Sequence, residues 1–254
     1  MRIAVAGGTG VLGRHVVRLA REGGHEPVVL SRSRGVDLRE GGESLTAALA
    51  GCDAVVDVAS VQTLSAKEST RFFRAVTENL IRAEITAGVR HHVAVSIVGA
   101  LAIDDGYYAG KALQERLVTA SGTGWTMLRA TQFHEFAAQT AQTGRMLGVH
   151  LVPQMRSQPV AAAEVAAEVV ALATGAPRGL VADLAGPRQE SMPDLVRRFV
   201  RASGSRRPVL SLPLPGRMGR GLRDGTILPR EGARLGTQTF DQWLAESQGA
   251  GAAR

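Results

Sequence analysis

Cysteine is almost missing from this chain: Cys52 is the only one. No internal disulfide can form, and a reducing cytoplasm fits that usage. Aromatic side chains make up only 4% of the residues, so platforms on which nucleic-acid bases stack are scarce. The net charge of +7 raises an anionic partner. The arginines are scattered, however, and only those at 197–223 approach a cluster, which argues against nucleic acid. No apolar run reaches bilayer-spanning length, and the most apolar helical stretch, 160–174, carries Glu164 and Glu168. The first strand is expected to begin at residue 2, which leaves no signal peptide before it. A soluble cytoplasmic protein with no membrane association is the expectation. Lysine is the other scarcity: Lys67 and Lys111 stand against 28 arginines. An ammonium is compact and tunable in pKa where a guanidinium is not, so a retained lysine is a candidate for chemistry arginine cannot do.

What the chain does have is a glycine loop in its confirming context. Arg2-Ile3-Ala4-Val5-Ala6 is of strand type, Gly7-Gly8-Thr9-Gly10-Val11-Leu12-Gly13 follows, and an amphipathic helix runs on from Arg14. Gly7 allows the tight exit, Gly10 close approach of backbone to a pyrophosphate, and Gly13 close packing of helix on strand. The helix N-terminus, with Thr9, Val11 and Leu12 around it, offers N–H groups and a positive dipole end to phosphates.

Strands and helices then alternate. Strands are expected near 27–30, 54–59, 92–97 and 125–130, and helices near 45–50, 68–88 and 107–121. On the long helix Phe72, Val76, Leu80 and Ile81 are placed on one face. Continuous apolar strands between helices predict an α/β, Rossmann-type doubly wound parallel sheet. Beyond residue 133 the alternation loosens into helices near 134–143, 162–174, 192–203 and 239–247, with strands near 146–152, 180–185 and 208–212. This part is expected to form a small C-terminal α/β substrate-binding cap. The expected division is 1–133 for the nucleotide domain, 134–248 for the cap, and a disordered tail at 249–254. A Gly/Arg/Pro-rich stretch, 213–236, is expected to be irregular, as a partner surface or a mobile cap segment.

The end of the second strand reads Leu30-Ser31-Arg32-Ser33-Arg34. An NAD site normally places a carboxylate there for the ribose 2′-hydroxyl. Here Arg32 can pair a 2′-phosphate, with Ser31 or Ser33 holding it. NADP(H) is therefore expected over NAD(H). Asp37, next to Leu38, can accept from the adenine amino group or serve as a turn residue. Ala59 and Ser60 are expected to line the adenosine side of the groove.

Together these stretches resemble the short-chain dehydrogenase/reductase superfamily, in its atypical NmrA-like branch. The matching segments are GGTGVLGR at 7–14, VVLSRS at 28–33, GVDL at 35–38, GCDAVVDVAS at 51–60 and AVSIVGA at 94–100. YYAGKALQE at 107–115, SGTGWTMLRATQFHEF at 121–136, QPVAAAEVA at 158–166 and TFDQWLA at 239–245 complete the set. The resemblance implies a Rossmann domain, NADP(H) binding, and either reduction of a small carbonyl or quinone-like compound or a non-catalytic redox-sensing role.

Tyr107 and Lys111 stand four apart, on one face of a helix. A nearby ammonium lowers a phenol's pKa, and the tyrosine can then give a proton to a carbonyl oxygen as hydride arrives. By family analogy the catalytic set is Ser96, Tyr107 and Lys111, with Lys111 also reaching the nicotinamide ribose. Tyr108 is the alternative inward residue. Thr131 and Phe133 follow the fifth strand beside the expected nicotinamide, with Phe133 over the ring. His134 is either a substrate contact or a helix-start residue. No metal site is expected: His91-His92 reads as a surface pair without a third ligand at familiar spacing. A small-molecule substrate is the expected partner. Oligomeric state stays open, a homodimer included. An epimerase or dehydratase that recycles its nucleotide is a further alternative.

Overall fold

The computed structural model describes residues 1–252. In chain order the elements are β1 (Arg2–Ala6), α1 (Val11–Glu22), β2 (Glu26–Leu30), α2 (Glu43–Leu49), β3 (Ala54–Asp57), α3 (Ala66–Ala87), β4 (His92–Ile97), α4 (Ala100–Ile103), α5 (Tyr107–Thr119) and β5 (Trp125–Ala130). They continue with α6 (Glu135–Thr143), β6 (Arg145–Met146), β7 (Val149–Pro153), β8 (Arg156–Ser157), α7 (Ala162–Ala173), β9 (Gly179–Leu180), β10 (Leu184–Ala185), β11 (Glu190–Ser191), α8 (Met192–Ala202), β12 (Val209–Leu212), α9 (Gly216–Asp224), β13 (Arg234–Leu235) and α10 (Phe240–Ala252). The chain divides into two compact units, one of Met1–Arg129 with Ala163–Ala182, the other of Ala130–Ala162 with the chain from Asp183 onward.

The first unit is the Rossmann-type body. Its strands lie in the order β2-β1-β3-β4-β5, with β9 paired to β5 at Thr126 and Met127. β1 pairs parallel with both β2 and β3, so the direction of winding reverses at β1. A ligand crevice belongs at that reversal, beyond the carboxyl ends of β1 and β3. Ile3 to Ala6 and Ala54 to Val56 are fully buried, as apolar strands covered on both faces must be. On α3 the fully buried aromatic is Phe73 rather than Phe72, and Ile81 is only half-buried. Ser65 caps that helix by accepting from the Glu68 N–H. Gly110 lets α5 close on α3, because a Cβ there would run into Ser69 and Phe73. Cys52 is buried after α2, its thiol donating to the Ala48 carbonyl at 3.7 Å, and burial pushes its pKa up.

His91 and His92, expected at the surface, are buried in this unit, 4% and 1% exposed. His91 Nε2 lies 2.8 Å from Thr126 Oγ1, and His92 Nδ1 lies 2.7 Å from Glu84 on α3. Partners 35 and 8 residues distant make the pair internal. Burial pushes the His92 imidazole down, but the charge and hydrogen bond of Glu84 outweigh it and hold the pKa above the ordinary value.

In the second unit Ala130, the last residue of β5, pairs with Leu184 of β10, which pairs in turn with β13. β8 and β11 form a two-stranded antiparallel ribbon. A three-stranded sheet has the order β12-β7-β6. α8 buries Met192, Leu195, Val196 and Val200 and packs on α6, β7 and β12. α10 starts with a capping box: Gln242 N–H donates to Thr239 Oγ1 at 3.3 Å, and Thr239 N–H to Gln242 Oε1 at 2.8 Å.

Several boundaries differ from the sequence reading. α7, from Ala163 onward, falls in the first unit and not in the cap. The strand expected at 146–152 is a hairpin, β6–β7, and that expected at 180–185 is two strands in different units. The stretch 213–236 contains α9 and β13. α10 runs to Ala252 where disorder was expected from Gly249; Ala253 and Arg254 lie outside the described residues. No helix of the described residues is long and apolar enough to cross a membrane.

Candidate functional site

The glycine loop is shaped by contacts that side chains would break. Gly7 has φ +81°, and a Cβ on it would lie 2.8 Å from the Val58 carbonyl oxygen and 2.9 Å from Ala59 Cα. A Cβ on Gly13 would overlap the Gly7 carbonyl oxygen and come within 2.6 Å of Gly8 Cα. The loop is thus pressed between α1 and the segment after β3. Gly10 caps α1 in extended conformation without a side-chain hydrogen bond, and the first turn carries no acid. That leaves its backbone donors and dipole end for an anion. Thr9 and Gly10 are exposed, Val11 half-buried, and Leu12 buried, so Leu12 serves the core with its side chain. A dinucleotide's pyrophosphate fits this cradle.

Beside it, Arg32 and Arg34 stand exposed on a short 3-10 turn, with Ser31 Oγ and Ser33 Oγ 3.0 Å apart. Asp37 accepts from the Arg39 backbone N–H at 2.9 Å and from its guanidinium at 3.1 Å. Those bonds hold its carboxyl below the usual carboxylate range. Asp37 is thus engaged by Arg39 in the turn after β2. Asn79, on the buried face of α3, was missed by the sequence reading. Its amide donates to the Leu38 and Arg39 carbonyls, both at 2.9 Å, and so pins this loop. A polar residue between Val76 and Leu80 on an apolar stripe was the available signal.

At the ends of β3 and β4, the Tyr107 hydroxyl lies 3.1 Å from Ser60 Oγ. Its ring meets Phe73 edge-on at 5.8 Å, and Ser69 donates to the Tyr107 carbonyl at 2.8 Å. Tyr108 is buried in the core, so Tyr107 is the half-buried one of the pair. Lys111 is 4% exposed. Its ammonium donates to the Val95 carbonyl at 2.6 Å and to Gln114 Oε1, and lies 4.7 Å from the Phe73 ring centroid. Gln114 in turn donates to Asp57 at 2.7 Å, and Asp57 accepts from the Ala59 N–H at 3.0 Å. A buried chain therefore links Lys111 to the segment that touches Gly7. Asp57, Gln114 and Phe73 were not anticipated, because their contacts are distant in sequence: 57 residues separate Asp57 from Gln114.

Two expectations need correcting here. Burial, and the charge of Asp57, raise the Tyr107 pKa, with the Ser60 bond opposing them; Lys111 does not lower it, because its ammonium is turned to Val95 and Gln114. Burial brings Lys111 itself down to about 8, against the raising charges of Asp57 and Glu115. Ser96 is 3% exposed and donates at 2.6 Å to Glu115, which is ion-paired to Arg129 at 2.6 Å. Its hydroxyl is thus engaged away from Tyr107.

The residues expected around the nicotinamide lie in the second unit. Thr131 donates to the Gln158 carbonyl at 2.6 Å, and Phe133 is half-buried with its backbone bridged to Val160. His134 is 1% exposed and faces α10: its Nε2 lies 3.0 Å from the Gln238 carbonyl, and its ring lies 5.8 Å from Phe240 and 5.9 Å from Trp243. His134 is also the residue at which α6 starts. Among the described residues no three His, Cys, Asp or Glu side chains are grouped to hold a metal.

Comparison with known proteins identifies the family and the fold. The family model described as NAD(P)H-binding matches residues 7–175. Photosystem II assembly factor Ycf39 of Synechocystis is 36% identical over 113 residues, 39% of this chain and 35% of that protein. The match thus spans about a third of that relative's length. Among solved structures, the NADPH complex of the quinone oxidoreductase QOR2 from Escherichia coli superposes with TM-score 0.72 at 19% identity, covering 97% of this chain and 99% of that one. The NAD-dependent NDP-hexosamine 5,6-dehydratase TunA gives TM-score 0.74 at 16% identity, covering 100% and 98%. At these identities the likeness to solved structures is one of fold.

Proposed function

The chain belongs to the NAD(P)H-binding family of atypical, NmrA-like short-chain dehydrogenase/reductases, and from that premise we propose an NADPH-dependent reductase of a small carbonyl or quinone-type compound. The observation that carries the proposal is the half-buried Tyr107 hydroxyl at the mouth of the β3 crevice, hydrogen-bonded to Ser60 and followed at one helical turn by Lys111. When bound, a reduced nicotinamide supplies the hydride. Tyr107, kept protonated by its raised pKa, supplies the proton to the substrate oxygen, and Ser60 orients it. To reach the nicotinamide ribose, Lys111 would leave its bond to Gln114. The missing carboxylate at the end of β2, with Asp37 neutralised by Arg39 and Arg32 exposed beside it, supports NADP(H) over NAD(H). A small-molecule substrate and a cytoplasmic location belong to the same proposal, as does the second unit acting as the substrate cap.

A second reading has its own observation. Ser96 is engaged by Glu115 and Lys111 by Gln114, which suits a protein that binds NADP(H) and signals without turnover. Mixing the protein with NADPH and a panel of quinones and carbonyls, while following absorbance of the reduced nicotinamide, separates the two. Consumption is expected, and Tyr107→Phe should abolish it while leaving the NADPH Kd unchanged. Tight NADPH binding with no consumption by any acceptor decides for the sensor; tighter NADH than NADPH binding overturns the NADP assignment.

A further inference from the structure

We propose that the second unit carries a separate anion site, a cleft that takes the phosphate monoester of a small apolar or aromatic alcohol. The cleft, of about 410 Å³, lies where the C-terminal turns of α6 and α8 meet the helix-packed side of the β12-β7-β6 sheet. Sheet register sets its basic rim. Arg145 of β6 stands opposite His150 of β7, and His150 stands beside Val209 of β12. The His150 N–H also donates to the Pro208 carbonyl at 2.9 Å, so the chain leading into β12 runs on alongside β7. Paired residues share a face, and Arg207, two residues before Val209, alternates onto it. The two arginines therefore flank the imidazole, one on each side.

The fold itself makes no use of these charges. Both arginines are exposed, and neither guanidinium is paired among the described residues. Of the 23 acidic residues, none falls within 136–163 or 195–223, the segments that build the cleft. The C-terminal ends of α6 and α8 would give the arginines a structural role, because a helix C-terminus favours cations. Their carbonyls are taken by other donors, however. Ala141 accepts from His150 Nδ1 at 2.8 Å, Phe199 from Ser203 Oγ at 2.8 Å, and Val200 from the Ser205 N–H at 3.1 Å. Two dipole ends of about −0.5 charge each, set against two full positive charges, leave the cleft net positive.

Size and proton chemistry define the ligand. The volume is that of a small-molecule pocket rather than of a bare ion. The half-buried Phe199 ring and buried Val200 give it an apolar wall for an organic body. His150 narrows the anion. It is 7% exposed, its Nδ1 carries the proton given to Ala141, and its Nε2 has no partner among the described residues. A phosphate monoester loses its second proton near pH 6. A neutral imidazole can accept that P–OH proton at Nε2, and a protonated one can donate to the dianion, so the bond forms in either state. A sulfate ester or a carboxylate holds no such proton at neutral pH. The Ser205 hydroxyl, whose oxygen accepts from the Arg207 N–H at 3.4 Å, keeps its own proton for the ligand. All these residues belong to the second unit, none to the glycine loop or the Tyr107 cluster, so binding requires no nucleotide.

Isothermal titration calorimetry with phenyl phosphate tests this. Arg145→Met and Arg207→Met should each raise its Kd about tenfold, through loss of a charge-assisted hydrogen bond. Arg206→Met, next in sequence but not on the cleft wall, should leave the Kd unchanged. Phenyl sulfate should bind about tenfold more weakly than phenyl phosphate, having one charge fewer and no proton for Nε2. Both arginines are exposed, so the variants should melt with the parent. An unchanged Kd in R145M and R207M overturns the site, the phosphate then being held elsewhere, and an equal loss in R206M reduces it to general charge. Phenyl sulfate binding as tightly as phenyl phosphate overturns the choice of anion, and no binding of phenyl phosphate at millimolar concentration overturns the proposal outright.

Discussion

Alanine at Gly13 and alanine at Gly10 should separate two jobs of one loop. At Gly13 the new methyl would overlap the Gly7 carbonyl oxygen and sit 2.6 Å from Gly8 Cα. Both obstacles are backbone, so no side chain can swing aside; α1 or the loop must shift. Overpacking costs ~1–3 kcal/mol, and a backbone obstacle belongs at the upper end. For a chain of this length ~3 kcal/mol lowers the Tm by roughly 6–12 °C. Gly10 has φ −75°, and the nearest atom to a Cβ there is the Gly7 oxygen at 3.2 Å. Alanine there presses on that oxygen, which must give by a few tenths of an ångström, and should lower the Tm by about 2–4 °C, well short of G13A. In the proposed cradle that methyl would stand against the pyrophosphate, so the NADPH Kd should rise at least about tenfold, ~1.4 kcal/mol. Thermal denaturation without ligand and fluorescence titration with NADPH read the two effects. An unchanged Tm in G13A refutes the packing argument; an unchanged Kd in G10A refutes the cradle.

Other expectations follow from buried charges. Lys111 titrates near 8 in the fold against 10.5 when free. Between those values the unfolded chain holds a proton that the folded chain has released, so stability rises with pH there. Comparing urea midpoints at pH 8 and pH 10, Lys111→Met should lack that component of the rise; identical profiles would contradict the burial of the ammonium. The His92–Glu84 pair runs the other way. Its contribution is full below the ordinary histidine value of about 6.5 and is lost as pH rises through the raised one. Glu84→Gln leaves a buried imidazole without its carboxylate and should cost about 3–5 kcal/mol at pH 6. The difference from the parent should shrink at pH 8.5, and a constant gap between the two melting curves would count against the pair.

What the sequence made legible was local. Residues 2–13 contain strand, turn and helix within one contiguous stretch, and the glycine spacing states the close contacts directly. The Tyr107–Lys111 spacing likewise needs only one helix. The buried Asp57–Gln114–Lys111 chain needs β3, β4 and α5 assembled, and nothing in any one segment announces it. His91-His92 reads as polar until Glu84 and Thr126 are brought to it. α9 was hidden by Gly216, Gly219 and Gly221, poor helix formers; a Cβ on Gly219 would overlap the Leu214 carbonyl, so close packing explains that residue. The β6–β7 hairpin was hidden because its turn is Leu-Gly rather than Asn-Gly.

The buried Cys52 thiol gives the molecule a clock. As the only sulfhydryl, 6% exposed and with its pKa raised, it reacts with a disulfide reagent only when the corner between α2 and β3 opens. The rate of that reaction counts openings of the nucleotide-binding unit, and bound nucleotide should slow it in proportion to the stability it adds. A cysteine introduced on the surface would label far faster than Cys52, so either unit can be marked at one chosen point.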